Sequence, residues 1–361
     1  MEVLLVFKKM VITSHKGDYS VFFESELKNI PYVNPQDEYC YLVDSNIAKL
    51  YKKDLSKVLS YPRTIVIEAI EENKSLENMI PVIEQLVSLK LRRGQTLIAI
   101  GGGIIQDITC FIASTILRGV PWVFIPTTLV SQADSCIGSK SSINLKSTKN
   151  ILGTYNPPTE IYISTSLLKT LDHRDVLSGV GEILKVNAID GLKSFENLSK
   201  DYEDLFTNDE VLCAHIKNAL EIKKKYIQKD EFDRNIRNIF NYGHSFGHAI
   251  ESATQYGIPH GIAVSLGMDM ANFVALKRSM ISKSRYDSLK GTLIKNYKKN
   301  LCPIPLDIFL SALMKDKKNT STKLVLILPT GELCDIQKHE VDPDDEFKSQ
   351  CNDFLVGLTH C

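Results

Sequence analysis

Three histidines and a glutamate are the residues of this sequence best placed to do chemistry. Asn241-Tyr242-Gly243-His244-Ser245-Phe246-Gly247-His248 puts two imidazoles at i and i+4, where a helix turns both to one side. The small Gly247 between them lets another group approach. His260 follows in Pro259-His260-Gly261, at the start of the next helical pattern. Position 245 is serine, so the run is not H-E-x-x-H and holds no peptidase base. A single histidine is more often a cap or a core residue. Three on adjacent helix faces, together with Glu182 in the largely apolar Gly179-Val180-Gly181-Glu182-Ile183-Leu184-Lys185, form a donor set. A glutamate and two histidines suit Zn²⁺ with positions left open for substrate. A carboxylate among apolar neighbours needs a partner such as a metal ion.

A second signal is Gly101-Gly102-Gly103-Ile104-Ile105-Gln106-Asp107, directly after the apolar run Thr96–Ile100. A strand, a glycine turn and a helix let backbone N–H groups approach a pyrophosphate. The run is not the G-x-G-x-x-G fingerprint, because Gln106 stands where the last glycine falls. Asp44 ends an earlier strand in Val43-Asp44-Ser45-Asn46; a carboxylate there can hold a ribose hydroxyl pair or simply cap the next helix.

Basic residues fall beside these motifs: Arg118, Lys140, Lys149, Lys185, Lys223, Arg237, Lys317 and Lys318. Taken singly, each is a solvated surface charge. Arg118 and Lys140 stand in segments too apolar or glycine-rich for plain surface. Together the set describes a pocket for a polyanion, such as a phosphate plus a carboxylate.

The elements that position these groups change along the chain. Cys40–Val43, Thr64–Ile67, Thr96–Ile100 and Trp122–Ile125 read as buried strands, and residues 76–92 as a helix stopped by Gly94, with Pro81 delaying its start or kinking it. Strands alternating with helices predict a parallel sheet of the nucleotide-binding kind. Beyond about Leu167 helical patterns dominate, at Asp175–Ile189, Asp209–Lys229, Ile236–Ala253 and Gly261–Lys277, and only Lys323–Leu328 still reads as a strand. The expectation is an α/β protein: a Rossmann-like parallel-sheet domain over residues 1–168, then a mostly α-helical domain over 169–361, with a ligand cleft between them.

Composition excludes other classes. Lys+Arg and Asp+Glu balance at 43 each, so nothing points to nucleic acid or a membrane surface. Eight scattered cysteines without a C-x-x-C pair fit reduced thiols in a cytoplasm. The apolar run Val3–Phe7 is too short for a signal segment, and no stretch is long enough to span a bilayer.

In order, the sequence carries GGGIIQD (101–107), LRG (117–119), PTT (126–128), DSCIGSK (134–140), KN (149–150), GEILK (181–185), Lys223 ahead of Asp230-Glu231, Arg237 and Asn241 ahead of the paired histidines, HG (260–261) and DKK (316–318). This series resembles the 3-dehydroquinate synthase family over nearly the whole chain. The resemblance implies that Glu182, His244 and His260 bind a divalent metal, Zn²⁺ or Co²⁺. It implies NAD contacts from Asp44, Asn46, Glu71, Lys74, Gly101, Gly102, Gly103, Asp107, Thr127, Thr128, Lys140, Lys149 and the segment around Thr170. Lys140, Asn150, His248 and a lysine of the pair Lys317-Lys318 match the phosphate pocket, and Arg118 is expected to reach the partner's site in a homodimer. Lys223, Arg237 and Asn241 match groups around the substrate carboxylate and ring hydroxyls; Asp134 and Lys185 match polar residues beside the reacting carbon. The implied reaction belongs to the shikimate route to aromatic amino acids. It oxidises a seven-carbon keto-acid sugar phosphate transiently with NAD, eliminates phosphate, returns the hydride, and closes the carbocycle by an aldol step.

The sequence departs from the family at Gln106 and Cys110 near the glycine turn, at Ser139 before Lys140, and at Ile262, where the pattern has glutamate after His260-Gly261. These departures bear on the substrate more than on cyclase chemistry. Rival readings are a 2-deoxy-scyllo-inosose synthase-like cyclase, one acting on sedoheptulose 7-phosphate, and a metal-dependent polyol or glycerol-phosphate dehydrogenase. Arg237 and Asn241 favour a carboxylate-bearing substrate; Lys223 and the Asp134–Lys140 pair weigh against a dehydrogenase.

Overall fold

Continuous apolar runs place strands in the middle of a sheet covered on both faces, and the computed structural model follows that rule. It describes residues 9–146, 148–316 and 319–358, so the run Val3–Phe7 and the pair Lys317-Lys318 lie outside the described residues. The chain divides into two compact units: Met1–Leu171 with Lys224–Phe232, and Asp172–Lys223 with Asp233–Cys361.

The first unit contains β1 (Lys9–Ser14), β2 (Gly17–Phe23), β3 (Tyr39–Asp44), β4 (Thr64–Ile67), β5 (Thr96–Gly101), β6 (Trp122–Pro126), β7 (Lys140–Leu145), β8 (Thr148–Tyr155) and β9 (Glu160–Ile163). Seven of them form one sheet in the order β1-β2-β9-β6-β5-β3-β4. Every pairing is parallel except the edge hairpin β1–β2. β6 is buried at every position. One face packs Tyr41, Val43, Ile98, Ile100, Val123 and Ile125 against residues of α1 (Ser45–Leu50) and α2 (Ser56–Leu59) and the loop between them. The other face meets α4 (Gly103–Thr115).

Between these lies α3 (Leu76–Ser88), which starts at Leu76 and takes Pro81 within its second turn. Gly94 does not end it. Lys90, at φ 56°, takes the left-handed stop, and Leu91 N donates to the Leu86 carbonyl at 3.2 Å. The antiparallel ribbons β1–β2 and β7–β8 escape a sequence reading because they are short and mix polar with apolar residues.

In the second unit α5 (His173–Asp190), α6 (Leu192–Lys200), α7 (Asp209–Ile227), α8 (His244–Ala253), α9 (His260–Lys277), α10 (Lys283–Tyr297), α11 (Leu306–Met314) and α12 (Asp345–Leu358) accompany the hairpin of β10 (Leu324–Thr330) and β11 (Asp335–Val341). The last residues of α7 group with the first unit. The α/β class and the helical second half agree with expectation. Residues 236–253 are a correction: not one helix but a 3-10 turn (Ile236–Asn241), a break at Gly243 with φ 76°, and then α8. α9 is apolar nearly all round and is buried from Gly261 to Asn272, as a central helix must be. β11 is a second strand that its polar sequence, DIQKHEV, conceals. Among the described residues no helix is long and apolar enough to cross a membrane.

Candidate metal centre and nucleotide-binding turn

Glu182 lies mid-way along α5, while His244 and His260 open α8 and α9. Glycines bring these helices together. A Cβ on Gly181 would collide with the carbonyl oxygen of Gly261, and one on Gly261 with that of Ser178. Gly267 and Gly243 make the same close approach between α9 and the turn before α8. Backbone therefore meets backbone, and the residues next to these glycines converge.

Glu182 Oε1 lies 3.3 Å from His260 Nε2 and 3.9 Å from His244 Nε2. Each imidazole thus presents the same nitrogen to the carboxylate, and each is held by its other nitrogen. His244 Nδ1 lies 3.2 Å from the Tyr242 carbonyl oxygen; His260 Nδ1 lies 3.2 and 3.3 Å from the two carboxylate oxygens of Glu251. Glu182 is 2% exposed in its side chain, and Lys185 Nζ sits 2.5 Å from its Oε2. Neither Glu182 oxygen accepts a hydrogen bond of normal geometry. Burial alone raises the Glu182 pKa, but the charges of Lys185 and His260 outweigh it and hold the carboxyl well below the usual range. The two carboxylates likewise overcome the effect of burial on His260 and hold its imidazole well above the ordinary range.

An ionised, buried carboxylate with unsatisfied oxygens facing two Nε2 atoms fits a divalent cation. His248 adds a third ring nitrogen: donor atoms of His244, His248 and His260 all lie within 4.8 Å of one another. His248 is itself exposed, with its ring centroid 5.4 Å from that of His244 and 5.6 Å from that of His260.

Among the described residues of this unit three cations are buried, namely Lys185, Lys223 and Arg237, a state cations seldom take unless paired. Lys185 also lies over the Phe240 ring at 5.7 Å. Arg237 and Asn241 share the 3-10 turn before Gly243, and Asn241 Nδ2 donates to the Asn238 carbonyl at 2.9 Å.

In the first unit β5 runs into the glycine turn and α4 begins at Gly103. A Cβ on Gly102 would come to 2.9 Å from Thr128 Cγ2, whereas Gly103 faces open space. The first N–H groups of this 13-residue helix take no side-chain cap, and such groups suit a phosphate. Thr127 N donates to the Gly101 carbonyl at 3.0 Å, and Thr127 Oγ1 is buried with no hydrogen-bond partner. Lys74 Nζ is 3.3 Å from Asp107 Oδ2, 3.0 Å from Asn150 Oδ1 and 3.7 Å from Glu71 Oε1. Burial pushes the Asp107 carboxyl up to about 6 against the pull of Lys74. Asp134 lies in the single π turn Ser131–Ser135, a device common at functional sites. Thr170 Oγ1 bonds the Tyr51 hydroxyl at 3.1 Å.

Not every expected residue sits as its motif implied. Asp44 Oδ1 accepts from Asn46 N at 2.8 Å, so the carboxylate caps α1. Arg118 and Lys140 are exposed, against the reading that their segments are too apolar for surface; so are Lys149 and Asn150. Lys317 and Lys318 lie outside the described residues. Gln106, in place of a glycine, donates from Nε2 to the Ser135 carbonyl and accepts from Ser135 Oγ, each at 2.6 Å, tying α4 to the π turn. Ile262 is fully buried, and the carboxylate at His260 comes instead from Glu251. Sequence reasoning passed over Glu251, although it lies seven residues after His244 and three after His248, on the same helical face.

A helical unit built around a glutamate and histidines, next in sequence to a parallel-sheet unit with a glycine turn, is the organisation of metal-dependent enzymes with a dehydroquinate synthase-like fold. Family models described as 3-dehydroquinate synthase N-terminal and 3-dehydroquinate synthase C-terminal match residues 64–178 and 179–319. The chain belongs to the 3-dehydroquinate synthase family. It is 35% identical over 313 residues to the 3-dehydroquinate synthase of Acetivibrio thermocellus, covering 85% of this chain and 87% of that one. It is 34% identical over 333 residues to that of Helicobacter pylori, covering 90% and 93%. In structure it is similar to 2-epi-5-epi-valiolone synthase of Streptomyces hygroscopicus with NAD⁺ and Zn²⁺ bound: TM-score 0.80, 25% identity, 95% of this chain and 97% of that one. A 2-deoxy-scyllo-inosose synthase complexed with carbaglucose-6-phosphate, NAD⁺ and Co²⁺ shares the fold, with TM-score 0.79, 22% identity, and 96% and 99% coverage.

Proposed function

We propose that this chain is a 3-dehydroquinate synthase, converting 3-deoxy-D-arabino-heptulosonate 7-phosphate to 3-dehydroquinate with release of phosphate. The observation that carries the reading is the convergence of Glu182, His244 and His260 in a chain of this family. A divalent cation at these donors supplies a Lewis acid for the substrate's hydroxyls, and NAD supplies a hydride acceptor that is regenerated each turnover.

The chain's own groups bind and neutralise. Buried Arg237 and Lys223 suit the substrate carboxylate, Arg237 by a bidentate contact. Asn241 offers its amide to a ring hydroxyl. Lys185, fixed beside Glu182, brings a positive charge next to the metal donors, where negative charge develops on a deprotonating hydroxyl. His248, exposed on the second unit, offers its imidazole to the phosphate. In the first unit the start of α4 would receive the pyrophosphate of NAD, and Glu71, Lys74 and Asp107 would add further polar contacts to it. Arg118 supports a homodimer. It is exposed, in a turn where Leu117 and Arg118 take φ of 52° and 68°, a costly backbone state that projects its side chain outward. A cytoplasmic setting follows from the reduced-thiol reading of the cysteines.

Incubation with 3-deoxy-D-arabino-heptulosonate 7-phosphate, catalytic NAD and Zn²⁺ or Co²⁺ tests the reading. Stoichiometric phosphate with no net NADH is the expected result. Stoichiometric NADH, or turnover of sedoheptulose 7-phosphate or glucose 6-phosphate instead, sinks it.

A further inference from the structure

We infer that Glu251 is a positioning residue for the metal centre, holding His260 by Nδ1 so that Nε2 is aimed at the cation. The inference rests on the reading of Glu182, His244 and His260 as metal ligands and adds a residue to it.

The geometry is that of an imidazole spanning two carboxylates. One ring nitrogen of His260 is 3.2 and 3.3 Å from the Glu251 oxygens, and the other is 3.3 Å from Glu182 Oε1. Glu251 is 12% exposed in its side chain and His260 38%, so the contact is shielded from water on the carboxylate side. A carboxylate at Nδ1 keeps the proton on that nitrogen and leaves the Nε2 lone pair for a metal. It also makes the imidazole a stronger donor. His244 Nδ1 meets a backbone carbonyl, so the two histidines are oriented by partners of different charge.

Helix formation does not call for an acidic side chain at Glu251. It stands in the last turn of α8, where an acidic side chain opposes the helix dipole and mildly destabilises the helix. The turn after it is anchored on the same residue: Tyr256 N donates to the Glu251 carbonyl at 2.7 Å, with Gln255 and Tyr256 at φ 51° and 60°. That backbone bond survives substitution of the side chain. The carboxylate and the fold can therefore be separated by experiment.

The test uses the full-length chain as wild type, Glu251→Gln, Glu251→Asp and His260→Ala. Three quantities are read: Zn²⁺ affinity by competition with a chromophoric chelator, the absorption spectrum of the Co²⁺-loaded protein, and the melting temperature of the metal-free protein. In Glu251→Gln we expect Zn²⁺ to bind roughly 10–100-fold more weakly, with an altered Co²⁺ spectrum and an unchanged metal-free melting temperature. Glu251→Asp, which keeps the charge, recovers part of the affinity. Wild-type affinity and spectrum in Glu251→Gln overturn the inference. So does a weakened site whose metal-free melting temperature falls in parallel, which marks a structural role. Failure of the underlying reading is distinct: wild type itself then holds no Zn²⁺, or His260→Ala holds it as well as wild type does.

Discussion

Glu182 Oε1 and His260 Nε2 stand 3.3 Å apart because the residues beside them, Gly181 and Gly261, bring the backbones of α5 and α9 into contact. The proposed metal donors are set by a helix crossing that admits no side chain at either glycine. Gly261→Ala forces the helices apart. It is expected to cost about 1–3 kcal/mol or more, as overpacking in a core does, and to weaken Zn²⁺ binding together with stability. Chemical unfolding and Zn²⁺ titration of the same variant check both; an alanine accepted at wild-type stability means the crossing does not set the site.

Removing one of the proposed donors is expected to remove the metal. Glu182→Gln and His260→Ala are each expected to lower Zn²⁺ affinity by more than about a hundredfold, since changes behind the ligands alone cost 10–100-fold. Turnover falls with metal content, measured by elemental analysis after gel filtration. A metal-replete, fully active His260→Ala protein rules out this ligand set.

Lys185 is the nearest cation to a carboxylate that has almost no exposure. Lys185→Met leaves that buried charge with His260 beside it but without its nearest cation, at a cost of up to about 3–5 kcal/mol in the metal-free protein. Added Zn²⁺ replaces the lost positive charge and restores much of the stability. Thermal melts with and without Zn²⁺ read this directly; equal metal-free melting of variant and wild type contradicts the pairing.

Lys74 gathers Asp107, Asn150 and Glu71 around one ammonium. Lys74→Met removes the attraction that opposes the effect of burial on Asp107, and the cluster loses its geometry. NAD affinity is expected to fall by about tenfold or more, the worth of one charge-assisted contact, while Zn²⁺ affinity stays the same. Calorimetric titration with NAD checks it, and unchanged affinity places the nucleotide elsewhere.

Asp269 on α9 is fully buried and hydrogen-bonded to the Tyr297 hydroxyl at 2.5 Å. Burial pushes its carboxyl up to about 6, against the Tyr297 bond, the charge of Lys290 and a hydrogen bond with Tyr286. The folded pKa lies above the unfolded value near 3.8, so between about pH 4 and 6 the folded chain keeps a proton that the unfolded chain has released. Stability from this group therefore falls as pH rises through that window and is level above it. Asp269→Asn lacks this dependence. Its stability relative to wild type should improve by the order of 2–3 kcal/mol from pH 4 to pH 7, at about 1.4 kcal/mol per pKa unit. Urea unfolding of both proteins across that range decides; parallel curves rule it out.

What the sequence made legible was local. The i, i+4 pair His244 and His248 shares a face because a helix repeats every 3.6 residues, and the rings do lie side by side. The apolar runs ending in Val43, Ile100 and Ile125 became central strands because only strands buried on both faces need such continuity. Polar ribbons such as β8 and β11 carried no such signature, and neither did the break at Gly243, which a periodic pattern runs straight through.

By itself, then, the sequence determined which residue types can bind a metal or receive a phosphate, and on which turns of the chain they sit. The tertiary structure decided which of them meet. Glu182 and His260 are 78 positions apart in sequence (260 minus 182), and no period links them; their contact follows from two glycines whose fit exists only once the helices cross. Glu251 belongs to the same class of outcome. Its spacing placed it on the histidine face, but only the turn through Gln255 and Tyr256 carried His260 back to its carboxylate, because a side chain's partner is set by where the backbone returns.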